Sequence, residues 1–259
     1  AAGCDMFLFF KAIDEDYKFM LNGYKNGIIT EERLQDAVER ILGFKAALGL
    51  HKAQKDGAIF RNEEDLKVVG CEDHIERAKQ AVDKGITLVK NTLDQLPIRP
   101  ETHKRIRLYY LEGEKGGLLG DSDSLQTIVK ELESRGFEVT VNDGNTRVKG
   151  PTLKYREEVD AALVFSNVVG YGAENNYRIK WKMAMSNEVP WYVHEVPTVF
   201  VSLNYTTHLT DVPMVKCYIN AYKDTEITIK AVVDKIMGES EFHGTPNELV
   251  WCNKWDTRL

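Results

Sequence analysis

Cysteine is scarce in this chain of 259 residues, and its placement excludes more than its number does. Cys4, Cys71, Cys217 and Cys252 stand far apart with no CxxC pair, so the sequence offers neither a zinc ribbon nor a disulfide framework. They read as reduced thiols and point to a cytoplasmic protein. A basic tract is also missing: 34 Lys and Arg stand against 40 Asp and Glu, a formal charge of −6. That acidic balance argues against nucleic acid or an anionic membrane surface as partner. The longest apolar run, Met6 to Phe10, is strand-sized and far short of the ~20 residues needed to span a bilayer. No basic n-region with a cleavage motif precedes it, so it does not read as a signal peptide.

What is present is ordinary globular material. Hydrophobic residues make up 43% and charged residues 29%, enough for one large or two modest cores. Met6–Phe10 suggests a short buried strand of a parallel sheet. A strand at that place has nothing before it to pair with, so the chain reads as part of something longer. Thr30 is a good N-cap, Glu31 and Glu32 suit a first helical turn, and Leu34, Ala37, Val38, Ile41, Leu42 and Leu48 recur at helical spacing. Gly49 is placed to end that helix in the left-handed conformation. Residues 53–74 are charged and weakly periodic, as a linker would be. A helix over Ile75–Val82 then leads into a strand at Ile86–Val89.

From Pro97 onward, strands and helices alternate. Strands are expected at 105–111, 137–141, 161–166, 198–203 and 214–219. One helix opens near Asp121 or Ser122 and stops at Gly136; the last is capped at Asp224 or Thr225 and ends at Gly238. This alternation predicts an α/β fold, a three-layer α/β/α sandwich around a mostly parallel sheet.

Three stretches, in order, resemble glycoside hydrolase family 3, in its β-N-acetylhexosaminidase and β-glucosidase branches. Ala2-Gly3-Cys4-Asp5-Met6 is similar to the family's A-G-x-D-M segment entering the eighth strand of its (β/α)8 barrel. Ala37-Val38-Glu39-Arg40-Ile41-Leu42-Gly43-Phe44-Lys45, with Leu48-Gly49-Leu50, resembles its last barrel helix. Gly85-Ile86-Thr87-Leu88-Val89-Lys90-Asn91 before Leu96-Pro97 resembles the opening of its C-terminal sandwich domain. Tyr218-Ile219-Asn220-Ala221-Tyr222, Ala231-Val232-Val233 and Gly238-Glu239 are similar to that domain's late strand and helix. The resemblance implies a barrel remnant over 1–52 (last strand and helices of a TIM barrel), a linker over 53–74 and a sandwich domain over 75–259. It implies carbohydrate as the substrate of the intact enzyme, with N-acetylglucosamine the first candidate sugar. It implies no cofactor and no metal.

The resemblance also marks a departure. Retaining glycosidases need a carboxylate nucleophile and a general acid flanking the scissile bond. The family's nucleophilic Asp lies upstream of the segment matched by Ala2-Gly3, and its K-H-F-P-G-H-G-like acid motif occurs nowhere in these 259 residues. The chain is therefore expected to be non-catalytic alone, with the missing amino-terminal barrel portion as its partner, and with residues 6–10 either rearranged against the second domain or buried in self-association. In the β-glucosidase branch a Glu of the second domain reaches the active site; Glu112, Glu114, Glu174 and Glu195 are candidates, and no motif selects one.

Weaker signals complete the reading. Lys11, at the carboxyl end of the first expected strand, is a substrate-cleft candidate because barrels place their sites on that face. So are Glu112, Gly116 and Gly117, the glycines lying in the loop Gly113–Gly120. That loop follows a strand and precedes a helix, so the alternative function is a stand-alone module binding a phosphorylated ligand. Its spacing, however, is G-x-x-G-G-x-x-G, and the acidic residue such sites use has only Asn142 or Asp143 as a match, about 30 residues on. His194-Glu195 lacks the second His of H-E-x-x-H, since Thr198 stands there. Trp181, Trp191 and Tyr192 suit packing better than sugar stacking. Trp251 and Trp255 are expected to fold back onto a surface.

Overall fold

The computed structural model describes residues 2–60, 62–113, 123–144, 153–168, 178–179, 181, 188–247 and 249. The chain forms two compact units, Ala1–Gly70 and Cys71–Leu259.

The first unit is helical. It contains α1 (Ile13–Lys25), α2 (Glu31–Ala47), α3 (Leu50–Lys55) and a 3-10 turn at Glu63–Val68. Thr30 caps α2 as its residue type demands, its hydroxyl accepting from the Arg33 N–H at 3.2 Å. Gly49 takes φ 67° at the end of α2, a conformation that costs glycine little. The strand expected over Met6–Phe10 is not formed: these residues run as bends and irregular backbone. The physical reason is pairing, since a strand needs neighbours for its N–H and C=O groups and none of the described residues supplies them. What does fix this stretch is charge. Asp5 is held by the guanidinium groups of Arg33 and Arg40 on α2, and the Arg33 hydrogen bond keeps its carboxyl below the usual range. Among its described residues, this unit buries no side chain completely.

The second unit has a true core. Its elements are α4 (Glu72–Gly85), β1 (Thr87–Asn91), β2 (Arg105–Glu112), α5 (Ser124–Ser134), β3 (Glu138–Val141), α6 (Leu153–Glu158), β4 (Ala161–Asn167), β5 (Thr198–Ser202), β6 (Cys217–Asn220) and α7 (Glu226–Met237). They form a six-stranded sheet in the order β1-β6-β5-β4-β2-β3. Five strands are parallel, and β1 runs antiparallel along β6 at one edge. The central strands are buried on both faces: every residue of β5 and β6 is buried, which is why they read as near-continuous apolar runs in the sequence.

One face packs Ile106, Leu108, Leu163, Phe165, Val199, Val201 and Ile219 against Ile128 and Leu132 of α5 and Ile229, Val232, Val233 and Ile236 of α7. The other face carries Tyr109, Val164, Phe200 and Tyr218 with Tyr155 of α6 and Val159 just after it, Tyr192 of a 3-10 turn, and Leu209 of another with Val212 following it. Helical layers therefore cover both sides, as the alternation predicts. The strands and helices expected from 75 onward are all formed, with ends displaced by a few residues. The expected linker 53–74 carries the end of α3, a 3-10 turn and the first turn of α4.

Caps in the two units should behave differently. Thr225 accepts from the Thr228 N–H at 3.2 Å to open α7, which is buried along one whole side. Thr225→Ala is expected to cost about 1 kcal/mol and to lower the melting midpoint by roughly 2–4 °C. Thr30→Ala removes a similar cap from α2, where there is no core to lose, and calorimetry of the isolated chain should show its transition unmoved.

The thiols sort by burial. Cys217 lies within β6, fully buried, and burial pushes its thiol up to about 12. Cys4 is exposed. Alkylation at pH 8 followed by peptide mapping should therefore label Cys4 readily and leave Cys217 unmodified until denaturant is added.

Candidate functional site

Open parallel sheets gather ligands outside the carboxyl ends of their strands, at the point where strand order reverses. Here the five parallel strands run β3-β2-β4-β5-β6, so the reversal lies between β2 and β4. Their last residues, Glu112 and Asn167, are register partners there.

A polar cluster occupies that edge. The Asn167 side-chain amide donates to the Tyr110 hydroxyl at 3.0 Å and to Asp224 Oδ2 at 3.1 Å. Its Oδ1 accepts from Asn204 Nδ2 at 2.6 Å. The Ser124 hydroxyl, in the first turn of α5, reaches the Asp224 backbone carbonyl and Oδ2, each at 3.2 Å. Asp224 immediately precedes the α7 cap, so the starts of α5 and α7 are tied at one point. Lys223 Nζ stands 3.7 Å from Asp224 Oδ1. Burial pushes the Tyr110 phenol above its ordinary value, which keeps it a neutral hydrogen-bonding group. With both protons of the Asn167 amide engaged, that side chain has one orientation. The chemistry of the cluster is that of amides, hydroxyls and carboxylates, suited to hydroxyl groups and poorly suited to a phosphate facing Glu112 and Asp224.

The sequence-based candidates are distributed as follows. Glu112 lies on this edge, half-buried at the end of β2. Lys11 is exposed in a bend of the first unit, its backbone N–H donating to Asp16 Oδ2 at 3.2 Å. Gly116 and Gly117, with Glu114, Glu174, Trp251 and Trp255, fall outside the described residues, as does all of the Gly113–Gly120 loop but its first residue and therefore its proposed phosphate cradle. Glu195 is paired with Arg156 at 2.9 Å, and Arg156 also donates to the His194 carbonyl. The aromatic cluster is packing. Tyr192 is fully buried and stacks on Tyr109 with centroids 4.3 Å apart, and Trp191 meets Tyr155 edge-on at 5.1 Å. Among the described residues no group of three or more His, Cys, Asp or Glu is arranged to hold a metal, and no helix is long and apolar enough to cross a membrane.

Tyr110, Ser124, Asn167 and Asn204 were not singled out from the sequence, and Asp224 only as a helix cap. A signal exists for Asn167 and Asn204: each is the polar residue at or just beyond the end of an apolar strand run.

A β-N-acetylglucosaminidase/β-glucosidase of Cellulomonas fimi is 36% identical over 264 residues, which take in 100% of this chain and 46% of that one. The chain is homologous to the C-terminal part of glycoside hydrolase family 3 enzymes. Among solved structures, a β-glucoside phosphorylase, BglX, superposes with a TM-score of 0.80 at 31% identity, over 98% of this chain and 45% of that one. A family 3 β-N-acetylglucosaminidase from Paenibacillus sp. str. FPU-7 shares the fold, with a TM-score of 0.55 at 17% identity, over 87% of this chain and 41% of its own. No protein-family model matches the chain. The chain thus spans less than half the length of these family 3 relatives.

Proposed function

We propose that this chain serves as the carboxy-terminal half of a family 3 enzyme that removes terminal β-linked sugars with retention, N-acetylglucosamine first among them. In this reading the chain is non-catalytic alone. The nucleophile and the general acid belong to an amino-terminal half that completes the barrel, and that half seats on the first unit. The carboxyl edge of β2 and β4 shapes the sugar cleft. The observation that carries the reading is full-length identity to an enzyme more than twice as long, joined to a first unit without a buried residue among those described. Among the described residues Cys4, Cys71 and Cys217 are free thiols, which supports a reducing, cytoplasmic setting.

A second reading of the chemistry has its own support. The relative with a TM-score of 0.80 is a phosphorylase, so inorganic phosphate is an alternative to water as the acceptor. The stand-alone phosphate-binding module has less behind it, because Glu112 and Asp224 flank the edge where its loop begins.

A chimera tests the proposal. With the upstream portion of the Cellulomonas fimi relative joined ahead of Ala1, release from aryl β-N-acetylglucosaminide and aryl β-glucoside is measured with and without phosphate. Release by the folded chimera, faster on the N-acetylglucosaminide, is the expected result. A folded chimera inactive on both substrates would refute it, and dependence on phosphate would favour the phosphorylase chemistry.

A further inference from the structure

The segment after α7 makes contacts that the family reading does not use. Lys235, near the end of α7, is buried to the tip of its side chain. Its ammonium donates to Asp83 Oδ1 of α4 at 2.8 Å, to Ser240 Oγ at 3.0 Å and to the Glu241 carbonyl at 2.6 Å. Ser240 also donates to Asp83 Oδ1 at 2.7 Å. Phe242 lies 5.5 Å from the same ammonium and packs against the core. Gly244 then crosses the start of β1 so closely that a methyl group placed on it would stand 2.7 Å from the Gly85 and Ile86 carbonyl oxygens.

Of the elements under this segment, α4 has little else to hold it, while β1 also has the buried Thr87, Val89 and Lys90. Residues 72–81 of α4 are all exposed and the helix buries no residue, although Val82 leans on the core. β1 is the antiparallel edge strand, and its pairing with β6 is irregular between Leu88 and Lys90. The few buried apolar contacts of α4 and the irregular pairing at the β1 edge mark a region that opens before the rest of a domain. We propose that residues 239–244 are a latch that fastens α4 and β1, as a separately opening piece, to a parallel sheet that stays folded without them. The latch thereby fixes the helix onto which the chain passes on leaving the first unit.

Hydrogen exchange of the full chain under native conditions, read by mass spectrometry, tests this with variants on both sides of the boundary. Residues 72–91 should exchange faster than 105–112 and 198–202 in the parent chain. Lys235→Met should speed exchange over 72–91 by roughly 10- to 100-fold, and Ser240→Ala, the milder change, by roughly 5-fold. Ile106→Val, in β2 and away from β1, should speed exchange of the central strands by roughly 3- to 10-fold and leave 72–91 unmoved, because its contacts survive when only the latched piece opens. If 72–91 and the central strands exchange at one common rate, and Ile106→Val accelerates both equally, there is no latch. If neither Lys235→Met nor Ser240→Ala changes 72–91, the latch is not residues 239–244. Either outcome leaves the glycosidase reading untouched, since that reading is tested by turnover.

Discussion

Produced alone, the chain will show hydrogen exchange over α1, α2 and α3 within about tenfold of a disordered peptide, while β2, β4 and β5 stay protected by at least about a thousandfold. The reason is the contrast between the units. Met6, Phe7, Leu8, Phe9 and Phe10 are 52–90% exposed, and none of the described residues of 2–70 is buried. Helices of 13, 17 and 6 residues are marginal without an apolar surface to pack on, and a unit of this size has only a small reserve even with one. Burying a single Leu or Phe contributes about 1.5–3 kcal/mol, so a partner covering this surface changes the balance decisively. In the chimera with the upstream portion, the same helices should gain protection by at least about a thousandfold. Strong protection of residues 13–47 in a dilute, monomeric sample of the chain alone would show that the unit needs no partner. Protection that rises with concentration would identify a second copy as the cover.

Lys235→Ala is expected to cost the second unit about 3 kcal/mol. It removes a buried ammonium with three oxygen partners on α4 and the segment after α7, and it leaves a cavity where the aliphatic stem lay. Thermal unfolding should begin about 6–12 °C earlier. Lys235→Met keeps most of the stem and should lose less, which separates packing from charge. Asp83 adds a pH signature. The hydrogen bond from Lys235 holds its carboxyl below the ordinary carboxylate range, so the pair stabilises the fold above the unfolded value near 3.8 and is lost as pH falls through the lower folded value. Asp83 is 40% exposed, so this acid limb is a fraction of the whole effect. It should shrink in both variants, which keep only the Ser240 hydrogen bond to Asp83, as a pH series of melting midpoints would show.

Where local signals and tertiary context agreed, the sequence was enough. Thr225 and Gly238 delimit α7 because capping and the left-handed conformation are properties of the residues themselves. The runs at 161–166 and 198–203 are strands because both of their faces are covered. Met6–Phe10 shows the limit: its composition suits a strand, but strand formation belongs to a pair, and no described residue provides the other member. The carboxyl-edge cluster was hidden for a related reason. Asn167, Asn204, Ser124 and Asp224 are separated by 20 to 100 positions and meet only because strand order reverses between β2 and β4. Glu112 was visible because it ends a strand next to a glycine-rich loop; Lys11 was to follow a strand that this chain does not form over Met6–Phe10.

The proposal stands or falls on where the reacting groups are. Purified chain, free of any co-expressed glycosidase, is incubated with an aryl β-N-acetylglucosaminide, and phenol release is followed over hours. The account predicts release no faster than in buffer. Steady turnover that survives repurification and scales with the amount of chain would contradict it, because a nucleophile and an acid would then have to lie within these 259 residues.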